Sequence, residues 1–239
     1  MPTVLKRRNF LKICGSAALA ASTLNFFPPG RTYAVKEFQH ALLLNSAEKP
    51  LRPSEIGLET NFLFFYPFAS TPCFLLEFPE PVPPARVSLA DGATYDWGGG
   101  VGPKNNVVAF TAICPHNQTH PSPDISYLKY DHEFGAIHCC AHGSEFAINK
   151  GGQPISGPAE KPLAAVLLKW NPDSSELWAH GMIGPDSFDL FFAQFRMDLR
   201  DRHGSTAKAK EPVERCMVKP LKEYSREVVS CQRPGLKKA

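Results

Sequence analysis

Two short motifs constrain this chain more than any other feature of its sequence. Cys114 and His116 form a Cys-x-His motif, and Cys139 and His142 form a Cys-x-x-His motif after 22 intervening residues. Thiolates and imidazoles are strong donors to transition metals, and these short spacings let each pair lie on one tight turn. The sequence therefore predicts a metal site to which two turns each contribute one sulfur and one nitrogen ligand.

The spacing of the ligands bears on the kind of metal. A tetrahedral zinc site also takes two Cys and two His, but its usual spacings pair Cys with Cys and His with His. In this chain each turn carries one of each. The pattern resembles the Rieske family, in which two thiolates hold one iron of a [2Fe–2S] cluster and two imidazoles hold the other. His142-Gly143-Ser144 and Gly157-Pro158-Ala159 also match that family's second motif and the proline loop that covers its cluster.

The Rieske resemblance implies a role for particular residues. It makes Cys114 and Cys139 the thiolate ligands of a Rieske-type [2Fe–2S] cluster, and His116 and His142 its imidazole ligands. It also places four residues around the cluster: Gly143, Ser144, Phe146 and Pro158. The implied activity is one-electron transfer, so we expect no catalytic residue and no catalysis by this chain alone.

Two of these positions bear on the reduction potential. Hydrogen bonds donated to the cluster sulfurs stabilise the added electron and raise the potential. Ser144 matches one such donor of the high-potential family members, but Phe146 stands where those members have tyrosine. We therefore expect an intermediate potential.

Other potential donors lie close to the two motifs. Many Rieske proteins link their two cluster loops by a disulfide, but Thr119 and Ala141 stand at those positions here. We therefore expect no such bridge and interpret Cys140 as a free thiol with a structural role. His120 and His138 are expected to be surface or supporting imidazoles, because the implied ligand set is already complete.

The rest of the sequence favours an all-β fold. The chain is 43% apolar and contains 23 prolines, which suits a strand-based core better than a helix bundle. Turn signals separate short apolar runs at residues 61–66, 72–78, 106–114, 136–139, 145–148, 163–170 and 176–180. With the resemblance, this pattern predicts a Rieske-type antiparallel β-sandwich or barrel with a smaller inserted cluster-binding subdomain. Residues 81–102, rich in Pro and Gly, are expected to form a long surface loop.

The N-terminus resembles an export signal. Residues 1–34 contain five Lys or Arg and no acidic residue, with paired arginines at Arg7 and Arg8 before Phe10-Leu11-Lys12 and a weakly apolar run. This layout resembles a twin-arginine signal, with a plausible cleavage site after Ala34. We expect a periplasmic protein. A basic amphipathic helix, or a segment that is retained as a membrane anchor, remains an alternative.

The C-terminal part is distinct from the body in charge. Residues 35–199 carry ten basic and eighteen acidic side chains, whereas residues from 200 onward carry eleven basic and five acidic ones. Because phosphate binding needs clustered Lys and Arg, the acidic body disfavours nucleic acid as a partner. In this tail Cys216 and Cys231 either pair in an oxidising compartment or remain reduced.

A helix is predicted at the start of that C-terminal part. Asp186 or Ser187 supplies an N-cap before four phenylalanines at helical spacing: Phe188, Phe191, Phe192 and Phe195. Such a stripe packs on its own domain or serves as a docking surface for another subunit. The expected organisation is a signal at 1–34, an N-terminal segment at 35–60, a Rieske domain at 61–183 with its cluster-binding subdomain at about 112–160, and an extension at 184–239.

Within the Rieske family, one subfamily is the most similar. Thr71–Phe78 and Gly99–Phe110 resemble the small subunit of arsenite oxidase. That resemblance implies a periplasmic relay between a large molybdopterin and iron–sulfur subunit and a soluble cytochrome or copper protein. The alternatives are the Rieske subunit of a membrane quinol-oxidising cytochrome bc-type complex and a zinc-stabilised binding module without redox function.

Overall fold

The computed structural model describes residues 32–58 and 60–231. The predicted export signal, residues 1–34, lies outside the described residues except for its last three positions. Among the helices of the described part, none is both long and apolar enough to cross a membrane.

Strands account for most of the regular secondary structure in the described chain. They are β1 (Lys36–Leu44), β2 (Phe62–Phe65), β3 (Pro72–Glu77), β4 (Ala85–Ser88), β5 (Thr94–Trp97), β6 (Val107–Thr111), β7 (Ile125–Ser126), β8 (Leu128–Asp131), β9 (Ala136–Cys139), β10 (Ser144–Ala147), β11 (Gln153–Ser156), β12 (Ala165–Trp170), β13 (Leu177–Ile183), β14 (Arg215–Met217), β15 (Lys219–Pro220) and β16 (Glu227–Val228). The helices are α1 (Phe188–Gln194), α2 (Arg196–His203), α3 (Thr206–Ala209) and α4 (Leu221–Tyr224), and 3-10 turns lie at Pro53–Glu55 and Ile148–Lys150. The prediction of an all-β fold with a C-terminal helix is confirmed.

Eight of the strands form the main sheet, in the order β14-β1-β13-β12-β6-β3-β2-β15. Adjacent strands of this sheet pair antiparallel, except that β14 runs parallel to β1. The strands predicted at residues 61–66, 72–78, 106–114, 163–170 and 176–180 all lie in this sheet.

The central strands of the main sheet are buried on both faces. Along β3, Cys73 belongs to one apolar cluster and Phe74 to another, because successive side chains of a strand point to opposite faces. The first cluster contains the phenylalanines of α1, and the second contains Cys114 and Cys139. The phenylalanines of α1 and the two thiols of the predicted metal site therefore pack in different apolar clusters, on opposite faces of the main sheet.

A second, four-stranded sheet carries the Cys-x-x-His motif. Its order is β11-β10-β9-β8, and its strands pair antiparallel along the chain. Phe146 on β10 pairs with Ile137 on β9, and both are buried against the apolar cluster that contains the two thiols. This small sheet holds one of the two predicted metal-binding turns rigidly at the end of a hairpin.

The prediction of a surface loop at residues 81–102 was wrong in part. β4 and β5 form an antiparallel hairpin in which Val87 pairs with Tyr95. Val87, Tyr95 and Trp97 are buried. The alternating apolar positions are short and lie among Pro and Gly, which obscured their strand pattern.

The segments outside the predicted Rieske domain complete the main sheet. β1 comes from the predicted N-terminal segment at 35–60, while β14 and β15 come from the extension and add to its two edges. Helix α1 begins after Ser187 as predicted, and buries Phe188, Phe191 and Phe192. Its phenylalanine stripe packs on its own domain, which decides between the two readings of that stripe.

Candidate metal centre

The Cys-x-His motif lies on a tight turn after β6, which we call loop 1 (residues 112–121). Within it the Gln118 backbone N–H donates to the Cys114 carbonyl at 2.8 Å, and the Cys114 N–H donates to the Thr119 carbonyl at 2.8 Å. Gln118 has a φ of 53°, in the left-handed region, and its side chain is buried. These bonds fix the backbone of Cys114 at the base of the loop.

The second motif spans the turn between β9 and β10, which we call loop 2 (residues 140–143). Cys139 is the last residue of β9 and pairs across the hairpin with Ser144. The Gly143 N–H donates to the Cys139 carbonyl at 2.9 Å, and Gly143 has a φ of 77°, which favours glycine. The short turn therefore brings Cys139 and His142 to the same end of the hairpin.

The structure brings the two thiols together in the interior. Cys114 and Cys139 are both 0% exposed. The Cys139 thiol donates a hydrogen bond to the Cys114 sulfur, which lowers the pKa of Cys114 to about 7 and raises the pKa of Cys139. Backbone N–H groups of His116 and Asn117 also act on Cys114, and they favour the thiolate form that metals require.

The two imidazoles form a second pair, on the surface. The ring centroids of His116 and His142 lie 4.9 Å apart with an interplanar angle of 75°. Both side chains are exposed. Sulfur donors are thus paired with sulfur in the interior, and nitrogen donors with nitrogen at the edge. In residues 32–58 and 60–231, no three Cys, His, Asp or Glu side chains gather around a point for a single ion.

One further observation shows that the surroundings fit a polar inorganic group. The Ser144 hydroxyl is fully buried and has no partner at full hydrogen-bond geometry, but it lies close enough to the Cys114 sulfur to lower the pKa of that thiol. A buried donor without a partner costs stability unless a bound group accepts its hydrogen bond. Two soft thiolates, two imidazoles and one spare donor suit a [2Fe–2S] cluster, whose sulfurs accept hydrogen bonds.

The predicted proline loop covers this region. A Cβ on Gly157 would lie 2.3 Å from the Gly143 carbonyl oxygen, so the backbone of the proline loop is in direct contact with the backbone of loop 2. Pro158 follows at the surface, and Phe146 on β10 is 0% exposed. Of the four residues that the sequence placed around the cluster, Ser144 and Phe146 are buried and Gly143 and Pro158 are exposed, and their role toward the cluster remains a prediction.

The cysteine next to loop 2 is bonded to the C-terminal tail, contrary to expectation. Cys140 forms a disulfide with Cys231, 91 residues away, and their Cα atoms lie 5.0 Å apart. The interpretation of Cys140 as a free thiol was wrong, and so was the suggested Cys216–Cys231 pair. Cys216 is a buried free thiol that donates to the Phe65 carbonyl at 3.0 Å.

The other histidines near the motifs lie apart from the donor pairs. The His120 ring packs against Phe191 and Phe195 of the extension, with centroids 4.9 and 4.5 Å away. His138 is buried and stacks on Phe134. Both imidazoles therefore support the surrounding structure, as expected.

Sequence reasoning missed Gln118 and Cys231 as parts of this region. Gln118 is buried, and its Oε1 atom has no hydrogen-bond partner. The local sequence gives no sign of this role, because no sequence pattern indicates that a glutamine adopts a left-handed φ. One sequence feature did point to Cys231: it is a cysteine in a chain with an export motif, and disulfides form in the compartment to which such chains are exported.

Part of the chain is similar to known proteins. Residues 91–167, which contain both motifs, match the Rieske [2Fe-2S] domain family. Among solved structures, the chain is similar to the soluble domain of the Rieske protein II (soxF) from Sulfolobus acidocaldarius. The match has 26% identity and a TM-score of 0.42, and it covers 61% of this chain and 78% of that chain. The cofactor is a Rieske-type [2Fe–2S] cluster, and the domain acts in electron transfer; the ligand set given above remains a prediction.

Proposed function

We propose that this chain, whose residues 91–167 match the Rieske [2Fe-2S] domain, is the electron-transfer subunit of a periplasmic molybdopterin oxidoreductase of the arsenite oxidase type. It relays electrons from an iron–sulfur centre of the large subunit to a soluble cytochrome or copper protein. Rieske proteins in general work with oxidoreductase complexes, and the finer assignment rests on the sequence resemblance of Thr71–Phe78 and Gly99–Phe110.

One observation carries the relay function: the two thiols are buried, whereas the two imidazoles are exposed side by side. A bound [2Fe–2S] cluster supplies a carrier for single electrons. The buried face of the site, with Cys114 and Cys139, excludes water behind the centre. The exposed edge, with His116 and His142, gives a partner protein a short path to the centre.

The remaining chemistry of the site favours electron transfer over bond chemistry. Around the two donor pairs, the described chain contributes an apolar floor with Phe146 and a single spare hydroxyl, from Ser144. The backbone amides of loops 1 and 2 act on the sulfurs and stabilise negative charge there. We therefore assign these residues the task of holding and tuning a carrier.

Export to the periplasm is part of the proposal. The Cys140–Cys231 disulfide supports it, because such bonds form and persist in oxidising compartments. The test is expression with the native N-terminus in a host that has twin-arginine export, followed by fractionation and N-terminal sequencing. We expect a periplasmic protein that begins at Val35. A membrane-bound product that retains residues 1–34 would instead support the Rieske subunit of a quinol-oxidising complex.

The identity of the partner is tested by co-purification from the native host. A brown complex with molybdenum and without haem b supports the proposed subunit. Haem b without molybdenum overturns it in favour of the cytochrome bc-type alternative. A colourless protein with stoichiometric zinc overturns the relay function altogether.

A further inference from the structure

The C-terminal tail ends against the metal centre, in a segment that we call the strap (residues 225–231). Its strand β16 runs parallel to β7, which lies between loop 1 and β8. The Arg226 N–H donates to the Pro123 carbonyl at 2.9 Å, and the Val229 N–H donates to the Ser126 carbonyl at 2.9 Å. The strap is therefore hydrogen-bonded to the chain that follows loop 1.

Side chains add to this attachment. The Ser225 hydroxyl donates to the Ser122 carbonyl at 2.6 Å, and Ser225 is 1% exposed. The Lys129 ammonium donates to the Ser230 hydroxyl at 3.0 Å. Because these bonds lie at both ends of the strap, the whole segment is held along residues 122–129.

The chain leading into the strap is fixed to the main sheet. The Leu221 N–H donates to the Asn61 carbonyl at 2.7 Å, and the Leu221 side chain is buried. The Tyr224 ring packs edge-on against Phe65 of β2 at 5.4 Å. The strap thus starts from a rigid support.

The far end of the strap is bonded to loop 2. Cys231 forms its disulfide with Cys140, and the neighbour of Cys140 in the chain is the buried thiol Cys139. In addition, the Cys140 N–H donates to the Tyr127 carbonyl at 2.7 Å. One end of loop 2 is therefore connected, through the strap, to the segment that follows loop 1.

We propose that Cys231 is a positioning residue for the metal centre, and that the strap holds loops 1 and 2 in register in place of a direct disulfide between them. This inference rests on the proposed cluster function. The strap brings a covalent tether to the residue beside Cys139, and its hydrogen bonds connect that tether to residues 122–129, which follow loop 1. Without it, loop 2 is held by the β9–β10 hairpin, by the hydrogen bond from Cys140 to Tyr127 and by the contact of Gly157 with Gly143.

A physical argument predicts what the tether does. A crosslink that closes a long loop reduces the open states available to the chain, so it slows the separation of the elements it joins. Cluster loss requires that loops 1 and 2 separate. The strap therefore slows the loss of the cluster from the protein. It also restricts the positions that the backbone around Cys114 and Cys139 can adopt.

The test compares wild-type protein with Cys231→Ser and Cys140→Ser, using Cys216→Ser as the control. Cys216 is also a buried cysteine of the tail, but it is a free thiol that bonds to Phe65 on the main sheet. The readouts are iron content, the EPR spectrum of the reduced protein, and the rate at which a chelator bleaches the visible absorption. We expect the two strap variants to bleach on the order of tenfold faster or more and to give a broadened EPR spectrum. The control should match wild type in its bleaching rate and in its EPR spectrum.

A second variant keeps the test decisive if the cysteine variants fail to fold. Ser225→Ala retains the disulfide and removes the hydrogen bond to Ser122, so it should bleach faster than wild type but more slowly than Cys231→Ser. Equal bleaching rates and spectra in wild type and in all strap variants overturn the positioning role while leaving the cluster in place. Wild-type protein without any iron–sulfur spectrum instead overturns the proposed function itself.

Discussion

Gly157 lies directly against Gly143, at a distance where a Cβ on Gly157 would be 2.3 Å from the Gly143 carbonyl oxygen. Gly157 also has a φ of 82°. The contact holds the loop of Pro158 against the loop of His142. We predict that Gly157→Ala pushes these loops apart, costs more than the about 1–2 kcal/mol of left-handed backbone strain alone, and lowers the iron content of the purified protein.

The matched control for this prediction is Gly92→Ala. Gly92 has a φ of 81°, but nothing lies within 4 Å of a Cβ placed there. The control therefore carries the same backbone strain without the steric clash. Iron analysis and denaturant unfolding of both variants check the prediction, and equal iron content in the two would show that the loop contact is dispensable.

The spare hydroxyl of Ser144 should raise the reduction potential of the centre. Its hydrogen bond stabilises the reduced, more negative state, and a hydrogen bond to a charged group contributes about 1.5–3 kcal/mol. Ser144→Ala is predicted to lower the midpoint potential by up to about 130 mV. Redox titration monitored by EPR measures this. Ser70→Ala, which removes a buried hydroxyl bonded to the Ala209 carbonyl, should leave the potential unchanged.

The wild-type potential is predicted to lie below the top of the range of roughly −150 to +300 mV for His-ligated clusters. The reason is Phe146, which is buried in the apolar cluster that contains the thiols and has no hydrogen-bond donor. Phe146→Tyr adds a hydroxyl at the position where high-potential members have one, and should raise the midpoint. A wild-type midpoint near the upper limit would contradict this explanation.

The helical extension is predicted to contribute to the stability of the whole domain. Phe191 is 0% exposed in the apolar cluster on one face of the main sheet, and its ring also contacts His120 of loop 1. Phe191→Ala should lower the free energy of unfolding by about 3–5 kcal/mol through the lost burial and the cavity left behind. Its neighbour Leu190 is 57% exposed, so Leu190→Ala should change stability by less than about 0.5 kcal/mol. Urea denaturation of both variants provides the comparison.

Stability should fall in mild acid because of His120. Burial lowers the pKa of this imidazole, with a smaller lowering from Arg202, while the Gln118 carbonyl and Asp198 act in the opposite direction. The folded state therefore binds this proton at a lower pH than the unfolded state does. The contribution of neutral His120 to the free energy of unfolding is fully present above the unfolded pKa of about 6.5. It is lost progressively as the pH falls below that value. Unfolding measured at pH 7.5 and 5 should show this loss, and His120→Phe should reduce it.

Much of the strand pattern and the donor set could be predicted from local sequence. Cys114, His116, Cys139 and His142 lie at the fixed spacings of two turns, and the structure brings their thiols together and their rings together. The helix at Phe188–Gln194 was predictable because helical periodicity is written in adjacent residues.

The roles of the two ends of the domain could not be predicted in this way. β15 and β16 are two residues long, so they have no periodicity that a sequence pattern could detect. They form because main-chain groups of β2 and β7 are available to pair with them. The hairpin of β4 and β5 was hidden for a related reason, since its few apolar residues lie between prolines and glycines.

The sequence by itself determined which donors this protein offers to a metal and which elements carry them, because ligand chemistry and strand or helix periodicity are local properties. Only the tertiary structure decided that Cys140 is bonded to Cys231 and not left free. Disulfide connectivity depends on which cysteines the fold brings within bonding distance, and that proximity is set by contacts across 91 residues of chain.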